Sequence, residues 1–121
     1  MQNYKDLKVW EKAHSLTLDV YKETQQFPKE EKFGLTLQLR RASSSIPANI
    51  AEGCGKSTNA EFRHFLNIAL GSANEVEYFL LLAKDLHYIP EENFNVLTGD
   101  INSIKAMLIS LIAKVKATLK T

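Results

Sequence analysis

Glu61 and His64 are residues whose types and spacing could hold a metal. They stand three residues apart, the spacing that di-iron helical bundles use on facing helices. Such a site needs a second pair from another helix and further inward-facing carboxylates. Because Glu61 also has the spacing of a helix cap, it is interpreted as a capping residue and His64 as a surface residue. No metal or other cofactor is expected.

Cys54 and the serine run Ser43–Ser45 are the candidate nucleophiles. Cys54 lies in a glycine-rich turn after a predicted helix end. That position lacks the positive end of a helix dipole, which would lower the pKa of a thiol. The serines have no histidine nearby in sequence to act as a base. The sequence therefore predicts no enzyme and no small-molecule substrate.

The composition favours one small domain. The chain has 121 residues, of which 45% are hydrophobic, one cysteine and a formal net charge of +1. This length suits a single domain, residues 1–121, that can bury a core. A lone cysteine suits a reducing compartment. There is no apolar signal segment and no stretch near about 18 apolar residues, so a cytoplasmic protein without a membrane span is expected.

The first two helices are predicted over residues 6–25 and 30–53. The first ends before Pro28, because the residue before a proline avoids the helical region. The apolar face of the second is predicted to include Phe33. Pro47 lies inside it and removes a backbone donor, so a kink is predicted near Ser43. The hydroxyls of Ser43–Ser45 are expected to satisfy the freed backbone groups.

Cap signals define the third and fourth helices. Thr58 precedes Glu61 by three residues, a capping-box spacing that starts the third helix. Pro90 opens the fourth helix. A strict heptad pattern then follows at Phe94, Leu97, Ile101, Ile104, Leu108, Leu111 and Val115. Short loops between long helices predict an all-α, up-down-up-down antiparallel four-helix bundle.

The third helix has two apolar stripes, and a helix that is apolar on two faces needs two partners. In a small bundle, one of these partners can be another subunit. The candidate residues for an oligomer interface come from the second stripe and from the remaining apolar positions of the fourth helix. They are Phe65, Ile68, Phe79, Leu82, Met107, Ile109 and Ile112.

Two glutamates fall on faces that the pattern predicts to be buried. Glu52 ends the second helix, and Glu75 lies on the second stripe of the third. A buried carboxylate is costly unless it is paired. Arg40 and Arg41 are the obvious partners. The four side chains are interpreted as an internal salt-bridge network, and the alternative is a paired-charge site that binds a ligand.

Positive charge collects on the second helix and at the start of the third. The residues are Arg40, Arg41, Lys56, Arg63 and His64. A phosphate could bind at the start of the third helix through backbone donors and the helix dipole, and such contacts weaken steeply with salt. The alternative is that these side chains are simply solvated.

The chain resembles a known family along nearly its whole length. The resemblance lies in Tyr4–Trp10, Val20–Tyr21, Phe27–Pro28, Phe33–Leu35, Gln38–Ala42, Ser45–Gly53, Glu61–Phe62, Phe65–Leu66, Ala69, Gly71–Ala73 and Glu75. These residues are similar to those of the four-helix-bundle family encoded by intervening sequences in bacterial 23S ribosomal RNA genes. The accessory variability protein of diversity-generating retroelements belongs to the same broad group.

The resemblance implies a bundle that assembles as a ring-shaped homopentamer and has no enzymatic activity. It also implies a role linked to RNA, since the retroelement relative binds nucleic acid and a reverse transcriptase. Arg40, Arg41, Lys56 and Arg63 are the contact residues expected if that role carries over. The expected function is a self-assembling bundle that associates with RNA or a nucleoprotein through a basic rim. The alternative is a structural or adaptor oligomer that binds a protein partner.

Overall fold

The computed structural model describes residues 2–119, and all regular secondary structure in this part of the chain is helical. The predicted all-α class with four helices is therefore confirmed. Short 3₁₀ turns precede the first two helices, at Tyr4–Asp6 and Lys29–Glu31. The helices are α1 at Lys8–Thr24, α2 at Leu35–Cys54, α3 at Asn59–Asp85 and α4 at Glu91–Leu119.

Each helix packs against two others. The contact of α2 with α3 is the most extensive, followed by α3 with α4 and α1 with α2, and α4 closes the bundle against α1. Along α1 and α2 the contacts run in opposite order, since Thr24 meets Arg40 and Thr17 meets Ser43. This is the order that antiparallel neighbours have in an up-down-up-down bundle.

The predicted apolar stripes of α3 and α4 form most of the core. The first stripe of α3 is buried from Phe62 to Ala83, and Leu97, Ile101 and Ile104 of α4 are buried opposite it. Burial of each large aliphatic side chain contributes about 1.5–3 kcal/mol. Phe94 and Leu111 of the heptad pattern are only partly buried and pack against the edge of this core.

The start of α2 differs from the prediction, because the helix begins at Leu35 rather than near residue 30. Gly34 has φ −107° and ψ −116°, which is not helical. The Glu31 carboxylate accepts the Leu35 N–H at 3.0 Å and so caps the helix. A Cβ atom on Gly34 would lie 2.6 Å from that carboxylate. Phe33 therefore precedes the helix, and its predicted burial is wrong, since 81% of its surface is exposed.

The start of α3 agrees with the predicted capping box. The Thr58 hydroxyl accepts the Glu61 N–H at 3.2 Å and lies 3.0 Å from the Glu61 carboxylate. The Thr58 hydroxyl thus satisfies one of the backbone donors that every helix start leaves unpaired, and it donates its own proton to the Glu61 carboxylate. Glu61 is thus engaged in holding the helix start.

Pro47 leaves the Ser43 carbonyl without its usual helical donor. The predicted donors were the serine hydroxyls, but the observed donor is Thr17 of α1, whose hydroxyl lies 3.0 Å from that carbonyl and 2.9 Å from the Ala13 carbonyl and shares its one proton between them. The Ser43 and Ser44 hydroxyls instead donate to carbonyls three residues earlier. The proline thus creates a hydrogen bond between α1 and α2, and the kink stays a prediction.

α4 is long and apolar enough to cross a membrane by length and composition. Between Glu91 and Thr118, an 18-residue window has a mean hydropathy of 1.4, and 22% of its residues are fully buried. No segment was expected to approach this composition. Leu97, Ile101, Ile104 and Leu108 are buried in the bundle core, so one face of this helix packs as a soluble bundle helix does.

Candidate functional site

The four predicted basic residues fall at two ends of α2. Arg40 and Arg41 lie in its first half, whereas Lys56 lies in the turn after it and Arg63 in the second turn of α3. A helix rises about 1.5 Å per residue, so the two pairs are roughly 20 Å apart along the bundle. One subunit therefore does not present all four as a single patch.

Arg40 is fixed against α1. Its Nε donates to the Thr24 hydroxyl at 2.8 Å, and Nη2 donates to the Tyr21 carbonyl at 3.3 Å. The guanidinium also lies over the Tyr21 ring, with Cζ 4.6 Å from the ring centroid. Cation–π contact and a charged hydrogen bond act together here. Arg40 thus joins α1 to α2 while its planar group remains partly exposed.

The turn after α2 holds the second basic pair more loosely. Lys56 Nζ lies 5.2 Å from the centre of the Phe65 ring, and Arg63 is partly exposed. Beside this turn lies an open depression of about 400 Å³, whose lining includes Lys56, Lys114 and Cys54. Burial raises the pKa of the Cys54 thiol, so the thiol stays protonated and is a weak nucleophile.

The predicted salt-bridge network does not form within the chain. Glu52 and Glu75 are exposed, and so is Arg41. Glu75 is exposed although it stands three residues beyond Ser72, which is buried against α2. Among residues 2–119, the ion pairs within 4 Å are Lys84 with Glu91 and Lys105 with Glu77.

A neutral polar cluster lies between α2 and α3 instead. The Ser45 and Ser72 hydroxyls are 2.9 Å apart, and the Asn49 amide donates to the Ser45 carbonyl at 2.8 Å. These groups pair with one another at the helix contact, which avoids the desolvation cost of unpaired polar atoms. The small polar residues were visible in the sequence, but the contact between Ser45 of α2 and Ser72 of α3 was not predicted.

The predicted interface residues differ in exposure. Ile68 of α3 and Ile109 of α4 are exposed, at 38% and 54% of their surfaces. Phe65 is partly buried. The other four are partly buried and pack against the core, which leaves them at the edges of the helices: Phe79, Leu82, Met107 and Ile112.

Two pairs have the Glu-x-x-His spacing, since Glu11 and His14 on α1 repeat the spacing of Glu61 and His64, and the first of these pairs was not predicted. All four side chains of Glu11, His14, Glu61 and His64 are exposed. α1 and α3 make no direct packing contact. Within residues 2–119, no three His, Cys, Asp or Glu side chains are grouped to hold a metal ion. The pairs therefore do not combine into a di-iron site.

Several exposed aromatic side chains were not expected from the apolar pattern. Tyr21 and Tyr78 are 43% and 57% exposed, and Phe33 is more exposed still. Trp10 and His14 stack with ring centroids 5.0 Å apart and an interplanar angle of 7°. The i, i+4 spacing of Trp10 and His14 could have indicated that contact. Tyr21 and Arg40 lie on different helices, 19 residues apart in sequence, so no short-range spacing pattern could have predicted their contact.

These features define a small all-α bundle that has exposed apolar side chains and two separate pairs of basic residues, one near each end of α2. The chain belongs to the 23S rRNA-intervening sequence protein family, whose model matches residues 5–110. The predicted resemblance is confirmed.

A solved structure supports the same assignment. It is a crystal structure at 1.70 Å of a protein with unknown function from the S23 ribosomal protein family of Bacteroides thetaiotaomicron VPI-5482. The chains are 32% identical, with a TM-score of 0.80, and the match covers 87% of this chain and 95% of that one. No curated protein matches the sequence.

Proposed function

We propose that this protein is a non-catalytic bundle that assembles with copies of itself and binds RNA through basic residues of the assembly. The observation that carries the proposal is the exposure of α4. In its most apolar 18-residue window, with a mean hydropathy of 1.4, only 22% of the residues are fully buried in the single chain, and Val96 and Ile109 of this helix are 64% and 54% exposed. Contiguous exposed apolar surface on a soluble protein commonly marks an interaction site.

The subunit contact uses the exposed sides of α3 and α4. Ile68 and Ile109 are the exposed anchors of this contact, and further apolar side chains of α3 and α4 are partly buried: Phe65, Phe79, Leu82, Met107 and Ile112. We propose a homopentamer, the assembly that the family resemblance implies. In a closed ring each subunit presents the same surfaces, so every basic residue is repeated around the ring.

RNA binding is assigned to Arg41, Lys56 and Arg63. Arg41 is exposed, and the other two are partly exposed at the turn between α2 and α3. Arg40 is left out of this set of phosphate contacts, because its guanidinium already donates hydrogen bonds to α1. The formal net charge is only +1, so affinity depends on local groups and should fall steeply with salt.

A second candidate function is that of an adaptor that binds a protein partner. The nearly neutral net charge and the 81% exposure of Phe33 favour it. An exposed aromatic side chain is the kind of residue that dominates protein interfaces. In both versions we place the protein in the cytoplasm, without a cofactor or a small-molecule substrate. The raised pKa of the Cys54 thiol supports a non-catalytic role.

Self-assembly is tested by sedimentation velocity of the purified chain and of Ile109→Glu. The wild type should sediment as an oligomer, and the variant should dissociate because a charge is placed in the contact. Leu18→Glu is the matched control, since Leu18 on α1 is similarly exposed at 57%. A wild-type monomer at micromolar concentration would overturn the assembly proposal.

RNA binding is tested with labelled 23S ribosomal RNA fragments at low and physiological salt. Joint replacement of Arg41, Lys56 and Arg63 by glutamine should weaken binding and reduce its salt dependence, because fewer counterions are released. A control with Lys8, Lys12 and Lys22 of α1 replaced by glutamine removes the same charge elsewhere. An oligomer that binds no RNA at low salt would favour the adaptor.

A further inference from the structure

The two sides of α1 differ in chemistry. The side toward α4 carries charges of both signs, since acidic and basic residues of α1 line two depressions shared with α4: Glu11, Asp19 and Glu23 with Lys8, Lys12 and Lys22. The side that carries Tyr21, which contacts α2 through Arg40, is instead rich in rings, with Glu11 at its edge three residues before His14. We call it the α1–α2 face, and it consists of Trp10, His14, Leu18 and Tyr21 of α1 with Arg40 of α2.

Helical spacing aligns this face. Steps of four, four and three residues lead from Trp10 through His14 and Leu18 to Tyr21, which places the four side chains on one side of α1. His14, Leu18 and Tyr21 are exposed. From Trp10 to Tyr21 the helix rises roughly 16 Å at about 1.5 Å per residue. This length could lie alongside several nucleotides of an extended single strand.

The Tyr21–Arg40 pair offers a stacking platform at one end of the face. The guanidinium lies 4.6 Å from the ring centroid and is held by two hydrogen bonds to α1. A guanidinium has five N–H donors, so three remain beyond these two bonds. A planar cation that is already ordered loses little freedom when a base stacks on it.

A second platform lies at the other end. Trp10 supports the His14 ring in a nearly parallel stack, and Tyr4 contacts Trp10 edge-on with ring centroids 5.0 Å apart. His14 is exposed while Trp10 is partly buried. The Trp10 ring therefore holds the imidazole in one orientation at the surface.

We propose that the α1–α2 face binds unpaired bases of single-stranded RNA by stacking, with one base at Tyr21–Arg40 and the strand running toward His14. This inference rests on the proposed RNA-binding function and adds a second site to it. Stacking on rings and on arginine planes is the mode by which proteins hold unpaired RNA bases. A duplex hides its base faces, so the α1–α2 face should prefer single strands.

The test measures affinity for a labelled oligoadenylate and for an RNA duplex of equal length, at physiological salt. Tyr21→Leu keeps an apolar side chain but removes the ring, and it should weaken single-strand binding about tenfold. Tyr78→Leu is the matched control, because Tyr78 on α3 is also exposed but has no arginine over its ring. It should leave affinity unchanged.

Salt dependence separates this site from the basic rim. Tyr21→Leu should lower affinity equally at all salt concentrations and leave the slope intact, since stacking releases no counterions. The variant with glutamine at positions 41, 56 and 63 should instead make affinity less dependent on salt concentration. Emission from the single tryptophan, Trp10, should change on single-strand binding in the wild type.

Two results would overturn the inference while leaving the proposed function intact. One is RNA binding by Tyr21→Leu with wild-type affinity. The other is loss of the oligomer in Tyr21→Leu, which would assign the α1–α2 face to a subunit contact. Equal melting temperatures of Tyr21→Leu and Tyr78→Leu would exclude unfolding as the cause of weaker binding.

Discussion

The two ends of α2 are held by different forces. At its start, hydrogen bonds dominate: Glu31 caps Leu35, and Arg40 donates to Thr24 and Tyr21. At its end, close packing dominates. A Cβ atom on Gly53 would lie 3.0 Å from ring and Cβ atoms of Phe62 and Phe65 on α3.

This difference decides what the basic residues can do. Arg40 belongs to the hydrogen-bonded end, so its charge is ordered and shared with α1. Lys56 follows the packed end, where the backbone is held but the ammonium group makes only a ring contact. The charges near the two ends of α2 are therefore held differently, and we propose base stacking for Arg40 and phosphate contact for Lys56.

The largest expected effect is at the packed end. Gly53→Val should lower the free energy of unfolding by about 3 kcal/mol, because the added carbons overlap Phe62 and Phe65. Gly99→Val is the control, since nothing lies within 4 Å of a Cβ there. Denaturant unfolding measures both variants. Equal stability would mean that close packing does not hold this end.

Between the two ends, Thr17→Val tests the hydrogen bond from the Thr17 hydroxyl to the Ser43 carbonyl, which Pro47 leaves without a helical donor. The variant keeps the side-chain shape but leaves the buried Ser43 carbonyl without the Thr17 hydroxyl, which should cost about 2 kcal/mol. Thr17→Ser retains the hydroxyl and should cost less. Denaturant midpoints rank the three proteins, and a ranking with Thr17→Ser lowest would contradict this role.

At the hydrogen-bonded end, Thr24→Val removes the acceptor for Arg40. We expect a loss of about 1 kcal/mol, smaller than at Thr17 because the partly exposed guanidinium can bind water instead. The Arg40 Nε–H proton should exchange slowly in the wild type and quickly in the variant, as NMR can measure. Slow exchange in both proteins would show that Thr24 does not hold Arg40.

The smallest effect concerns Tyr88, whose hydroxyl donates to Glu31 at 3.0 Å beside the start of α2. That hydrogen bond, together with burial and nearby carboxylates, raises the pKa of Tyr88 above its ordinary value of 10.0. A raised pKa means that the stabilisation is complete below about pH 10 and is lost as pH rises through the folded-state value.

Thermal melting from neutral pH to about pH 11 measures this contribution. Tyr88→Phe should be slightly less stable than the wild type at neutral pH, and the two curves should converge under alkaline conditions. A difference that is independent of pH would show that the Tyr88 hydroxyl does not act through Glu31.

The helix starts and the buried faces were largely predictable from the sequence, because they depend on residues only a few positions apart in the chain. The Thr58–Glu61 cap and the heptad run of α4 were both read from spacing, and both were observed. Phe33 was predicted to be buried because the apolar periodicity of α2 extends to it. The helix begins only after Gly34, so Phe33 lies outside it. Glu75 was expected to be buried, but its stripe runs along the edge of α3.

The sequence by itself determined the all-α class, the four helices and the near balance of charge, because these follow from composition and from residues within a few positions. Only the tertiary structure decided that Arg40 stacks on Tyr21 and that Thr17 serves the carbonyl freed by Pro47. These partners are 19 and 26 residues apart. Local periodicity carries no signal for such pairs, because helix packing sets them.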